Sequence, residues 1–407
     1  MTQRLHQMLC VFLLLGLAAC SQRERSNPLD PLHPDTAGRP QNLSVSSQRL
    51  EVVLKWFEAN INDMNHVHVE RARGAADFER VGTVAPGNRV FVDTDVQYSI
   101  HYQYRIQFAG TDWQTAFSDT VSITPGPYNF WVTDYQAGTL SRLTYDAAHI
   151  IFATPFAFFP RDVAVDTLRL QVWAADWTGR LLRQGLDGST PFWIEGFNRP
   201  SRLFLQGEHL WLVQNGLTEI LHLGLEGQLQ DSLGGFSEIS DLTSAEDAVL
   251  WVADRGDSTL THVDGSGSFT NYTLAHAPQA IAASVSRSWI WIGTDSQLGQ
   301  FSPETGYVAL LDLPGRAVAL SPCRDGRCWL LLQHNDLSGE AWLVNASGQV
   351  LVQTKGFIEP KDIVAVPDDG GCAVVDYGNG RIVRVSAQGE MMAQRSGFMT
   401  PERIVLE

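Results

Sequence analysis

The chain has 407 residues, 44% of them hydrophobic and 10% aromatic, with 35 Gly and 12 Trp, enough for two domains with sizeable cores. Its formal net charge of −16 excludes a general nucleic-acid binder and a protein that adsorbs to anionic lipid through a basic surface.

The chain opens with a short segment carrying Arg4, an apolar run from Met8 to Leu17, and Leu17-Ala18-Ala19-Cys20. A charged start, a short apolar core and small residues at the cut form a secretory signal, 1–19. The LAAC ending resembles the bacterial lipobox. That resemblance implies cleavage before Cys20, lipid attachment at Cys20 and a membrane held through the lipid. Each buried CH₂ of an acyl chain contributes about 0.8 kcal/mol to such anchoring. Ser21 after the cysteine implies delivery to the outer membrane of a bacterial cell envelope. Residues 20–40 are polar, hold four prolines and have no period, so they read as a tether.

Residues 41–125 alternate apolar and polar in seven short runs, from NLSVSS to TVSITPG, as a β-sandwich does. Their landmarks resemble those of a fibronectin type III domain. Trp56 ends the second run, Glu70-Arg71 lies in the third, Tyr102 occupies the tyrosine-corner place, and Ser118 precedes the last. Trp113 and Phe117 are expected on the final loop, either as caps or as contact residues. His66, His68 and His101 are expected on exposed strands; no metal site is expected.

From 128 to 407 the text repeats. Trp131, Trp173, Trp211, Trp251, Trp291 and Trp329 recur every 38 to 42 residues, and Cys372 stands in a seventh place. The anchors sit in FWVTD, VWAAD, LWLVQ, LWVAD, IWIGT, CWLLL and CAVVD. Each is followed by a polar turn, two further apolar runs and a segment such as PRDVAV, PKDIVAV or PERIVL. Four strands per period of about 40 is the pattern of a β-propeller, in which radial stacking buries both faces of every unit. The expected fold is therefore all-β: a sandwich followed by a propeller of seven blades, or six if one weak unit is irregular. The segment PERIVLE is expected to complete the first blade and close the ring. VWAADWTGRLLR, LWVADRGDSTLTHV and AVVDYGNGRIVRV resemble the NHL-type propeller repeat. The resemblance implies a propeller and no single activity.

Of five cysteines, Cys10 would leave with the signal and Cys20 would carry lipid, and the remaining Cys323, Cys328 and Cys372 fit an oxidising compartment. Cys323 and Cys328 bracket a four-residue turn and are expected to form a disulfide clip, with Cys372 a buried thiol. No nucleophile motif, calcium-type acidic loop or metal-ligand set is found, and no cofactor or catalytic residue is assigned. The propeller histidines 149, 209, 222, 262, 276 and 334 fall in different strand classes and are not expected to converge. One constellation remains. In antiparallel units the turn after the second strand and the start of the first strand share one end. Arg161, Asp162, Arg202, Asp241, Arg316, Asp362 and Arg403 should circle the channel mouth there, with Trp177 and Tyr377 beside them. Asp134, Asp176, Asp254, Asp295 and Asp376 are expected in the outer turns of the same end. Either these charges neutralise one another or they form a recognition face. The leading expectation is a lipid-anchored envelope binding or scaffold protein that recognises a protein, peptide or glycan. The alternative is a metal-dependent propeller enzyme, a lactonase or lyase.

Overall fold

The structure is a computed structural model that describes residues 33, 36, 38–48, 50–57, 63–156, 159–214, 216–244, 249–264, 267–284 and 289–407. The signal segment, Cys20 and most of the tether lie outside them. The chain divides into two compact units, 1–125 and 126–407. Among the described residues no helix is long and apolar enough to cross a membrane.

Among the described residues the first unit holds two antiparallel sheets. One has three strands in the order Ser44–Gln48, Glu51–Lys55, Val90–Asp93; the other has four in the order Glu79–Val84, Met64–Arg73, Tyr102–Gly110, Val121–Ile123. Side chains alternate across a strand, so Val52 and Leu54 of one sheet meet Val67, Val69, Tyr104 and Ile106 of the other in one buried core. Trp56 is buried there and Trp113 packs against its edge, a cap rather than a free contact residue. The Gln97 backbone N–H donates to the Tyr102 hydroxyl at 2.9 Å, pinning the turn before that strand. Arg71 is buried against Asp93 at 3.0 Å, and the Tyr104 hydroxyl donates to the same carboxylate at 2.9 Å.

Among the described residues the second unit holds seven four-stranded antiparallel sheets. The first strands are Pro401–Leu406, Pro160–Asp166, Arg202–Gln206, Ile239–Thr243, Ala280–Ala283, Arg316–Pro322 and Asp362–Ala365. Each neighbours the next, and the last neighbours the first, so the seven surround an axis in a closed cycle. Sheets are numbered here from the one that contains Pro401–Leu406. Second strands such as Leu250–Asp254 are buried throughout, whereas outer strands such as Leu229–Gly234 are mostly exposed. Pro401–Leu406 pairs with Phe130–Asp134 and closes the ring, with Val405 opposite Trp131. Arg142 clamps the junction through two hydrogen bonds to Glu407, of 2.6 and 2.8 Å.

Each anchor tryptophan projects into the core shared with the following sheet. Trp173 joins the cluster of Leu203 and Leu212, and Trp291 that of Leu330 and Leu332. In the seventh sheet the equivalent residue is Ala373, not Cys372. Ala373 and Val375 face the first sheet, while Cys372 faces back to the sixth. The strand is one residue out of the expected frame because Asp376, which ends it, corresponds to Asp176 and Asp254.

The expected clip between Cys323 and Cys328 is not formed, and both are free, buried thiols, as is Cys372. Cys328 faces the core between the fifth and sixth sheets, whereas Cys323 joins the core between the sixth and seventh. Opposite faces of one sheet cannot present two sulfurs to each other.

Candidate functional site at the channel mouth

Cross-strand register defines one tier around the axis. Asp162 lies opposite Ala175, Arg202 opposite Val213, Asp241 opposite Ala253, and Ala280 opposite Gly293. Ala319 lies opposite Leu331, Asp362 opposite Val375 and Arg403 opposite Thr133. Each partner stands two residues past its anchor. The tier therefore reads Arg, Asp, Arg, Asp, Ala, Ala, Asp around the ring. Arg316 is outside it: it lies three residues before Ala319, opposite Gln333, two residues beyond the tier partner Leu331.

The aspartates of this tier are not solvated mouth charges, as expected, but inter-sheet clamps. Asp162 accepts the N–H of Val163 at 2.8 Å and that of Leu203, in the next sheet, at 2.9 Å. Asp241 does the same with Leu242 and Ile281, both at 3.0 Å. Asp362 does so with Ile363 and Ile404, both at 2.9 Å. Asp162 and Asp362 are only 1% and 5% exposed, so the arginines must supply the balancing charge. Arg403 places Nε 3.1 Å from Asp162 and Nη1 3.3 Å from Asp362. Arg202 reaches Asp241 at 3.6 Å. Burial opposes the charge on Arg403, yet Asp162, Asp362 and Asp241 together raise its pKa well above the ordinary value. Burial dominates at Asp362, whose carboxyl is pushed up to about 6 despite Arg403.

The aspartates that end the second strands are buried too. Asp134 accepts the N–H groups of Met399 and Thr400, and Asp254 those of Ser237 and Glu238, tying each turn to the connection that enters the first strand. Where the sequence lacks that Asp, Gln214 substitutes by accepting the Asn198 N–H at 2.9 Å. Asp295, by contrast, follows such a strand and lies in an exposed turn.

Above the tier opens a cavity of about 460 Å³, walled by Arg161, Arg202, Arg255, Arg316, Lys361 and Arg403, with Glu402, Trp177, Gln279 and Ser240 among the remaining lining residues. Five of the expected mouth residues, Arg161, Arg202, Arg316, Arg403 and Trp177, thus meet in one wall. Tyr377 stands just outside, with Lys361 Nζ 4.6 Å from its ring centre. Arg161 is held between Tyr135 at 4.3 Å and Trp177 at 4.9 Å, and bonds Glu402 at 3.3 Å. Burial raises the Glu402 pKa, while Arg161, Lys361, Arg403 and Arg202 counter it. Arg316 differs from the rest: its hydrogen-bond partner is the neutral Gln333 Oε1, reached by Nε at 3.0 Å and also by Nη2. Arg255, which pairs with Glu238, was not among the expected residues. Its place in LWVADRG, directly after the strand-ending Asp, is the place of Trp177 and Tyr377, and that offset was the available signal.

Two histidines do converge, against expectation. His209 Nδ1 lies 2.8 Å from His222 Nε2, with the Trp211 ring 4.1 Å from that of His222. The hairpin register pairs Trp211 with His222 and so puts all three on one face. Burial, then His209, lowers the pKa of His222. Among the described residues no group of three or more His, Cys, Asp or Glu side chains is arranged to hold a metal ion.

No protein-family model matches the chain, and no curated protein matches it. Solved structures do. A functionally unknown protein from Desulfotomaculum acetoxidans DSM 771 superposes with a TM-score of 0.58 at 10% identity, over 68% of this chain and 98% of that one. Apo AztD from Citrobacter koseri gives 0.55 at 10% identity, over 69% and 97%. Virginiamycin B lyase from Staphylococcus aureus gives 0.52 at 12% identity, over 66% and 89%. At such identities the likeness is one of fold, that of a β-propeller.

Proposed function

We propose that this chain is a lipid-anchored binding or scaffold protein of the bacterial cell envelope. The mouth of its propeller, read as seven-bladed, is the recognition face for a protein, peptide or glycan. The observation that carries the reading is the cavity ringed by six cations and bordered by Trp177, Tyr135 and Tyr377. Concave sites with a few convergent polar groups and aromatic walls are where such folds bind ligands. The lipobox ending at Cys20 supports the anchor. The sheet order of the first unit and the bond from Gln97 to Tyr102 support a fibronectin type III-like spacer.

The alternative, a metal-dependent propeller enzyme, needs carboxylates directed at the axis. The three in the tier around the axis are instead occupied by backbone N–H groups, two apiece, and their arginine partners. A photo-crosslinking residue in place of Trp177, and another in place of Arg324 at the far end of the sixth first strand, test the reading in cells making the full chain. A discrete adduct at position 177 alone is expected. Equal adducts, or one at 324 only, would move the interaction surface elsewhere. Cys20→Ser should release the protein from membranes into the soluble fraction; unchanged detergent partitioning would overturn the anchor.

A further inference from the structure

The mouth cavity combines a surplus of donors on its wall with carboxylates turned away from it. We propose that it grips a compact anionic group, carboxylate or phosphate, between Arg202, Arg316 and Arg403. The inference rests on the reading of the mouth as the recognition face and specifies the chemistry of what enters.

Three features point the same way. First, the tier carboxylates of Asp162, Asp241 and Asp362 each accept two backbone N–H groups, one from their own sheet and one from the next. Their oxygens are engaged behind the arginines. Second, the fifth and sixth tier positions are Ala280 and Ala319, so the wall beside Arg316 carries no tier carboxylate. Arg316 is exposed there and bonded to the amide oxygen of Gln333, a partner that fixes the guanidinium and leaves its charge uncompensated. Third, Arg403 uses Nε and Nη1 on Asp162 and Asp362, which holds its planar fork rigid against the cavity. Donors fixed in advance by neighbours lose little freedom when an anion arrives, and guanidinium forks match carboxylate and phosphate oxygens two at a time. Among the described lining residues Glu402 is the one carboxylate, and Arg316 is the one cation of the six for which no ion pair is formed; the others pair with Glu402, Asp241, Glu238, Glu359, Asp162 and Asp362. A volume of about 460 Å³ suits a small oligoanion or the side chains of an acidic peptide segment.

Titration calorimetry on the full chain at low salt, with citrate, pyrophosphate and a hexaglutamate peptide as separate probes, tests the proposal. At least one should bind saturably and weaken as salt rises. Arg316→Gln should weaken it about tenfold or more, as loss of a charge-assisted hydrogen bond implies. Arg202→Gln/Arg316→Gln should abolish measurable binding, and the charge-matched Arg324→Gln should leave it unchanged. Thermal melts establish that each variant is folded. Preference for the small anions or for the peptide identifies the source of the anionic group. Absence of binding by all three probes, or equal binding by wild type and the double variant, overturns the proposal. A crosslink at position 177 that survives excess of every probe would sink the anion inference and leave the recognition face standing; absence of any crosslink at position 177 without probe would remove the face itself.

Discussion

Asp162 reaches out of its own sheet: its Oδ2 accepts the backbone N–H of Leu203, the first buried residue of the neighbouring sheet, at 2.9 Å. The same carboxylate receives Arg403 from the sheet on the other side, at 3.1 Å. One side chain thus fastens three consecutive sheets, whereas Asp362 joins two, because Ile404 and Arg403 both belong to the first sheet.

Removing that carboxylate should hurt the fold. Asp162→Ala and Asp362→Ala each take the side-chain acceptor from two backbone N–H groups and strip Arg403 of a counter-charge. A loss of about 3 kcal/mol or more per substitution is expected in chemical denaturation. Arg316→Ala, at an exposed position, should change stability by less than about 0.5 kcal/mol. Equal, small effects from all three would show that the tier is solvated.

The elevated pKa of Asp362 sets a pH dependence. Its folded value of about 6 lies above the ordinary aspartate value near 3.9, so the folded state holds the proton more tightly than the unfolded chain. The group's contribution to stability is greatest below about pH 4 and declines as pH rises through about 6. Carbon-13 spectra of labelled aspartate carboxyls should show a midpoint near pH 6 that vanishes in Asp362→Asn. A midpoint near 4 for every aspartate would refute the assignment.

The three core thiols should be inert. Burial raises the pKa of Cys372 and Cys328 well above normal and pushes that of Cys323 up to about 11. Thiolate is the reactive form, so alkylation at pH 7.5 should await unfolding. Mass spectrometry of the native protein treated with iodoacetamide should find all three unmodified; rapid labelling of Cys323 would contradict its place in the core.

Trp173 fills the space between the second and third sheets, and Trp173→Ala should cost about 3–5 kcal/mol. Ala373 holds the same place between the seventh and first sheets, where Phe130 and Val132 already fill the core. Ala373→Trp should therefore destabilise by overpacking, about 1–3 kcal/mol. Calorimetric melting of both variants checks the pair, and a stabilised Ala373→Trp would mean that a void exists there.

The repeat was legible because a buried Trp recurs at a nearly fixed spacing and because a strand-ending Asp or an entering Pro punctuates each unit. The location of the mouth followed from strand direction alone, and five of its wall residues were found that way. Depth was not legible. Whether Asp162 is solvated or buried depends on the Leu203 N–H and Arg403 that meet it from neighbouring sheets, contacts that strand direction alone does not show. The frame of the seventh unit was misread because an alanine at the anchor leaves no mark, and a neighbouring cysteine drew attention instead. The His209–His222 pair lay hidden because strand class was compared across sheets, whereas the hairpin from Gln214 to Glu219 brings them together within one.

The closing strand also governs the order in which the ring can assemble. Pro401–Leu406 follows every other strand of the ring in the chain, yet its partner Phe130–Asp134 leads them all. Until it docks, Phe130–Asp134 presents an unpaired edge toward the axis, and Arg403 is missing from between Asp162 and Asp362. The two carboxylates would then face each other across a gap with no cation between them. Long-range pairing of this kind is slow to form. The last strand to arrive thus brings both the seal of the first sheet and the charge that lets the tier ionise, so a ring lacking it is not a smaller propeller but an open, acid-lined arc.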